Sequence, residues 1–196
     1  MIEDILGWWF GDWDDAVPQA EDDPQMRRWW HAAPEIDAHI RDTYRHLLSE
    51  DLSEWEATPR GRLAKVLVLD QFSRVVHRGT GRAFENDAEA RATLRRGLVR
   101  GDDGELQPIE RSFFYMPLMH SEDLGDHDLA IRLFGDLADD TAGLARAKGY
   151  VMTLDFERKH RAIVEQWGRY PHRNAPLGRE STPEELEFLK QVGSSF

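Results

Sequence analysis

Apolar residues recur along this chain with the spacing of α-helices, and the sustained alternation typical of β-strands is absent. In residues 35–50, Ile36, Ile40, Tyr44 and Leu47 are three or four positions apart and form one stripe along a helix. The same spacing predicts further helices over residues 1–10, 58–76, 86–98, 108–119, 126–138 and 141–167, and a last one from Thr182. We therefore predict an all-α fold of about eight helices, whose short links favour antiparallel neighbours.

Several residues at the ends of these segments are typical of helix termini. Thr58 precedes a proline, so its hydroxyl is placed to cap the first turn of the third helix. Thr182 and Glu185 have the spacing of a capping box, and Gly101 is suited to close the helix that starts near residue 86. The acidic stretch DWDDAVPQAEDDP, residues 12–24, is predicted to be a loop.

The composition narrows the class of protein. With 196 residues the chain is long enough for one domain, which we take to span residues 1–196. Its 25 basic and 37 acidic side chains give a net charge of −12, which argues against nucleic-acid binding. The absence of cysteine excludes disulfides and thiol chemistry. The N-terminus lacks the basic residues of a secretory signal and no apolar run reaches about 20 residues, so we expect a cytoplasmic protein that does not enter membranes.

A charged residue falls on the apolar stripe of the third predicted helix. Leu63, Val66, Leu67 and Asp70 are related by steps of three and four residues, so the Asp70 carboxylate is predicted to face the core. A buried carboxylate is costly unless it is paired, and Arg74 lies one helical turn away. The pair is either a structural ion pair or part of a site.

Two histidines fall on apolar stripes of other helices. His120 follows Met116 by four residues, and His160 lies between Phe156 and Ile163 on one stripe. A single histidine of this kind is usually a satisfied core residue. Ionisable groups that point inward from several helices are, however, how helical bundles form binding sites.

The segment GRYPHRNAPLGRES, residues 168–181, concentrates basic side chains in a connection. Its prolines exclude a helix, so it is predicted to be an ordered loop. Guanidinium groups in a loop either bind a carboxylate or phosphate, or neutralise acidic side chains of the protein itself. The candidates are Arg169, His172, Arg173, Asn174 and Arg179.

Seven tryptophans include the doublets Trp8-Trp9 and Trp29-Trp30. Neighbouring residues on a helix point about 100° apart, so one ring of each doublet is predicted to be buried and the other partly exposed. Core packing explains these residues, and an aromatic wall of a pocket is the alternative.

Four segments resemble one family: TPRGRLAKVLVLDQFSR, RGTGRAF, FFYMPLMHSED and GRYPHRNAPLGRESTPEE. They occur in the order found in the bacterial domain-of-unknown-function family 924, and the resemblance covers nearly the whole chain. It implies an all-helical fold similar to tetratricopeptide-like, right-handed helical arrays, and it implies no reaction. Ser73 replaces the usual proline of the family, which leaves the helix around Asp70 uninterrupted. The resemblance points to Asp70, Gln71, Arg74, His120, Glu122, Arg169, His172, Arg173 and Asn174 as site residues.

Three classes of function compete. The first is a binding module whose cleft takes a small anionic ligand or a peptide carboxylate, held by Arg60, Arg74, Arg169 and Arg173. The second is a hydrolase-type enzyme with His120 or His160 as general base, oriented by Asp70 or Glu122. The third is a purely structural interaction protein.

A metal-assisted form of the enzyme would use four ligands whose spacing does not match a helical His-x₃-His pair: His120, Glu122, His160 and His172. We expect neither a metal nor a cofactor. The anion-binding module is the preferred hypothesis.

Overall fold

Helices account for the regular structure, as predicted. The computed structural model describes residues 1–30 and 33–195, and within these ranges it contains α-helices, shorter helical turns and no strand. The α-helices are α1 Ile2–Phe10, α2 Pro24–Trp30, α3 Pro34–Tyr44, α4 Pro59–Val66, α5 Ser73–Val76, α6 Asp87–Arg100, α7 Pro108–Met119, α8 Leu124–Asp140, α9 Ala147–Trp167 and α10 Pro183–Phe188. The all-α class is confirmed, whereas the tetratricopeptide-like stacking stays a prediction.

The predicted helix termini are present. The Thr58 hydroxyl accepts a hydrogen bond of 3.1 Å from the Gly61 N–H at the start of α4. Thr182 and Glu185 form the expected capping box of α10. Gly101 closes α6 with φ of 77°, in the left-handed region that favours glycine.

Two helix boundaries differ from the prediction, and one short helix was not predicted. Residues 35–50 form α3 only as far as Tyr44, and a 3-10 helix follows over Arg45–Ser49. The long helix begins at Ala147 rather than at residue 141, because the Thr141 hydroxyl bonds back to the Leu137 carbonyl at 2.7 Å and closes α8. Helix α2 was not predicted, since seven residues are too few to show a helical period.

The helix that contains Asp70 is continuous, but it is not regular. Between α4 and α5, residues Leu67–Phe72 form a π-helical turn, in which the Ser73 N–H donates to the Val68 carbonyl five residues earlier. The expectation of an uninterrupted helix is therefore correct for the path of the chain and wrong for its hydrogen bonding. Single π turns are rare and frequently mark functional sites.

The N-terminal helix is part of the core. Ile5, Leu6, Trp9 and Phe10 are buried, as the sequence predicted for this tryptophan-rich segment. Phe113 of α7 lies among the rings of α1 and α2, with ring centroids 5.5 Å from Trp9, 5.6 Å from Phe10 and 4.9 Å from Trp29. These edge-to-face contacts fasten the N-terminal segment to the centre of the molecule.

Helix packing places the irregular turn near the middle. Helix α4 packs against α1, α6 and α7, and α8 packs against α7 and α9. A smaller apolar cluster of Ile163, Val164 and Tyr170 anchors the loop that follows α9. Across residues 1–30 and 33–195, no helix has the length and apolar character needed to cross a membrane.

Candidate functional site

A cleft of about 480 Å³ opens beside the π turn. Its walls come from α1, α2, α3, α5 and the loop after α9. Six of the residues selected from the sequence line it: Gln71, Arg74, His120, His160, His172 and Arg173. Such a volume lies within the range of small-molecule sites, about 300–1,000 Å³.

Asp70 lies behind the cleft, where it organises two of the lining residues. Its side chain is 1 % exposed, and its Oδ1 is 3.0 Å from Arg74 and 2.7 Å from Nδ1 of His120. Gln71 donates to its other oxygen at 2.6 Å. The predicted pairing of Asp70 with Arg74 is thus present, and His120 joins it.

The charge of Asp70 is stabilised in place. Burial alone would raise the pKa of its carboxyl, but the charge of Arg74, followed by contacts with His120 and Gln71, outweighs burial and lowers that pKa. Because an ionised carboxylate only accepts hydrogen bonds, Nδ1 of a neutral His120 must donate, which leaves Nε2 as the acceptor of that ring.

The three histidines of the cleft are neutral near pH 7. Burial, and then the charge of Arg74, lowers the pKa of His120, although Asp70 opposes this change. Burial lowers the pKa of His160 to about 3. Burial, followed by the charge of Arg173, lowers the pKa of His172 to about 4. The positive charge of the cleft therefore comes from arginines.

Asp87 links two of these arginines. Both terminal nitrogens of Arg74 reach its carboxylate, at 3.1 and 3.2 Å. Arg173 reaches the same carboxylate with one long bond of 3.4 Å. Arg173 is consequently the weaker partner of a shared carboxylate.

The guanidinium of Arg173 lies between two aromatic rings. Its central carbon is 4.6 Å from the ring centre of Phe84 and 4.7 Å from that of Tyr170. Tyr170 is itself fixed, because its hydroxyl donates to the Met119 carbonyl at 2.6 Å and its N–H donates to Glu122 at 2.8 Å. The loop thus holds Arg173 in one orientation against the cleft.

Four other predicted site residues do not line the cleft. Their partners are acidic or polar groups of the protein itself. Arg60 binds Glu3 and Glu110, Glu122 binds Arg179 and the Tyr170 N–H, Arg169 binds Glu185, and Asn174 binds Glu185 and Ser181. For these residues the structural interpretation of the basic loop fits the geometry better than the binding interpretation does.

The stripe of α9 also differs from its prediction. His160 and Ile163 are buried, but Phe156 is 45 % exposed. The buried face of α9 reaches His160 through Tyr150, Leu154 and Glu157 instead, so Phe156 lies outside it. In the described part of the chain, no three His, Asp or Glu side chains are grouped so that they could hold a metal ion. Of the four ligands considered for metal-assisted chemistry, His120, His160 and His172 line the same cleft, but they do not form such a group with each other or with Glu122.

Trp9, Trp29 and Trp30 form an aromatic wall of the cleft, the alternative considered for the doublets, and in each doublet one ring is buried as predicted. Other lining residues were not predicted, among them Phe84 and Arg28. Phe84 stands in the quoted segment RGTGRAF, but its aromatic side chain carried no chemical signal there. Asp87, which does not line the cleft but pairs with Arg74, was not predicted either, because the two residues lie on different helices.

Comparison with known proteins identifies relatives of unknown activity. A family model described as "Bacterial protein of unknown function (DUF924)" matches residues 5–193. A solved structure of a protein of unknown function from Agrobacterium tumefaciens is similar, with a TM-score of 0.77, 32 % sequence identity and 96 % of each chain covered. No curated protein matches the chain.

Proposed function

The chain belongs to the DUF924 family of bacterial proteins, and from the geometry of its cleft we propose that it binds a small anionic molecule or a peptide carboxylate there. The observation that carries the proposal is the state of Arg173. Its side chain is 8 % exposed, its one side-chain hydrogen bond within the described residues is the long contact with Asp87, and among those residues its Nε–H has no partner. A buried guanidinium has five donors, so an incoming carboxylate or phosphate would satisfy donors that the protein leaves unused.

The balance of charge supports the same proposal. Four arginines line the cleft: Arg28, Arg74, Arg78 and Arg173. Within the described residues, the carboxylates that line it or contact these arginines are Asp37, Asp70 and Asp87. One positive charge is left over in a protein whose net charge is −12. An anion is therefore attracted to this cleft and repelled by the surface as a whole.

The test measures whether anions stabilise three proteins against thermal unfolding: the wild type, Arg173→Ala and Arg173→Lys. We expect phosphate, sulfate or acetate at constant ionic strength to raise the melting temperature of the wild type, because a ligand at 100 times its Kd adds about 2.7 kcal/mol of stability. Arg173→Ala should lose this protection. Arg173→Lys should lose most of it as well, because an ammonium group cannot make the paired contacts of a guanidinium.

Arg132→Ala is the matched control, since Arg132 is exposed on α8 and does not line the cleft. Its protection by anions should equal that of the wild type. Equal protection of all four proteins would show that anions act elsewhere, and the proposal would then be wrong.

A second function is favoured by the contact between Asp70 and His120. A neutral imidazole oriented by a buried carboxylate at 2.7 Å is the arrangement of a general base, and it stands beside arginines that could stabilise negative charge. The reaction class that fits is hydrolysis of an ester or a related acyl compound.

Hydrolysis of p-nitrophenyl acetate tests this alternative. His120→Asn keeps a donor for Asp70 but removes the base, and we expect it to lower the rate by about 10²-fold or more. His46→Asn, at an exposed histidine outside the cleft, is the control. A wild-type rate equal to that of His120→Asn would contradict the enzymatic function and leave anion binding unaffected.

A further inference from the structure

The cleft combines basic contact points with an extensive apolar wall. Besides the arginines, its lining includes Trp9, Trp29, Trp30, Ile36 and Ile40. A site for a bare inorganic anion needs no such surface, because the anion has no apolar area to bury. The lining is instead typical of sites in which apolar walls take the body of a ligand and a few polar groups fix its orientation.

The setting of Arg173 limits the shape of the ligand. Phe84 and Tyr170 pack against the guanidinium, whose central carbon is 4.6 and 4.7 Å from their ring centres, while its N–H bonds point along its edge, in the plane of the group. A carboxylate approaching this edge forms the coplanar, paired contact that guanidinium groups favour. The rest of such a ligand then extends into the cleft beside aromatic rings.

The charge balance limits the charge of the ligand. Because the four arginines of the cleft outnumber the carboxylates that line it or contact them by one, a monoanion is sufficient to neutralise the cleft. Trp9 adds a second polar point, since its buried Nε1–H has no hydrogen-bond partner among the described residues and Trp9 lines the cleft.

Resting on the proposed function, we infer that the ligand is an aromatic monocarboxylate, with its carboxylate at Arg173 and its ring against the tryptophan wall. Two sources supply this chemistry: a free aryl-alkanoic acid, or the C-terminal phenylalanine, tyrosine or tryptophan of a peptide. In both, one carboxylate is separated by a short linker from a planar apolar group.

The experiment compares four probes by calorimetry and by quenching of tryptophan fluorescence: 3-phenylpropionate, propionate, 3-phenylpropionamide and the peptide Gly-Gly-Phe. Propionate lacks the ring, and the amide lacks the charge. We expect 3-phenylpropionate to bind at least tenfold more tightly than either. The ratio of the affinities of 3-phenylpropionate and Gly-Gly-Phe shows whether the cleft prefers a free acid or the C-terminus of a peptide.

Two substitutions locate the site. Trp30→Leu should weaken binding of 3-phenylpropionate several-fold and leave binding of propionate nearly unchanged, because Trp30 belongs to the tryptophan wall. Phe156→Leu, at an exposed ring of α9 outside the cleft, should change neither. Trp30 is 52 % exposed, so its replacement is compatible with a folded protein, which the melting curve verifies.

The outcomes separate this inference from the proposed function. If propionate and 3-phenylpropionate bind equally tightly and the binding of both depends on Arg173, the proposed anion-binding function is supported and the inference of an aromatic monocarboxylate is wrong. If the amide binds as tightly as the acid, the inference is also wrong. If no anion binds in a manner that depends on Arg173, both proposals fail.

Discussion

Removal of residues 1–13 is expected to abolish cooperative unfolding. The deletion takes away Ile5, Leu6, Trp9 and Phe10, all buried in the main core, and it exposes Phe113. Each large side chain removed from a core costs about 2–5 kcal/mol. The four losses together amount to about 8–20 kcal/mol, which is comparable to the whole stability of a typical domain, about 5–15 kcal/mol. Circular dichroism and a thermal melt of the truncated chain would measure the effect.

Single substitutions measure the contribution of individual side chains of this segment to stability. Phe10→Ala should lower the free energy of unfolding by about 3–5 kcal/mol, because its ring is buried among other rings. Trp30→Ala serves as the comparison, since Trp30 is 52 % exposed and should cost much less. A truncated chain that melts like the wild type would contradict the role given to α1.

Replacement of Asp70 by asparagine is expected to have the second large effect. The substitution removes the buried negative charge that pairs with Arg74 and accepts a hydrogen bond from His120, and it leaves the partly buried Arg74 without that partner. Breaking one side of a buried ion pair costs about 3–5 kcal/mol. Asp128→Asn is the control, because Asp128 pairs with Arg161 at the surface and such pairs contribute about 0–1 kcal/mol.

The same variant should change the dependence of stability on pH. The pKa of Asp70 is lower in the folded protein than in the unfolded chain, because Arg74 and His120 outweigh the effect of burial. The contribution of Asp70 to the free energy of unfolding is therefore fully present above the pKa of the unfolded chain, about 3.9. It is lost as the pH falls through the lower pKa of the folded protein. Urea unfolding at pH 7, 5 and 3 should show a difference between wild type and Asp70→Asn that shrinks at pH 3. A difference that stays constant would show that the charge of Asp70 is not responsible.

Local patterns predicted most of the helices and part of the site. The steps of three and four residues around Leu67 and Asp70 placed a carboxylate in the core, and the pairing with Arg74 followed from the same helical turn. Such inferences succeed because both partners lie on one element, whose geometry is known before the fold is.

Partners on different elements could not be assigned in the same way. Arg60 meets Glu3 and Glu110, which are 57 and 50 residues away, and nothing in the sequence distinguishes these acids from others. Arg169 and Arg173 are both arginines of one loop, yet one neutralises Glu185 and the other lines the cleft. Residue type therefore identified the loop, and only packing distinguishes Arg169, which has a structural role, from Arg173, which lines the cleft.

The π turn at Leu67–Phe72 rotates the contact face of α5 relative to that of α4, although the two helices are continuous. One extra residue within a helical turn rotates everything beyond it by about 100° relative to a regular α-helix. Helix α4 can then align its contact rows with α6 while α5 aligns its own with α3. The extra residue of the π turn thus lets the segments before and after it pack against different helices, and Asp70 lies within this turn.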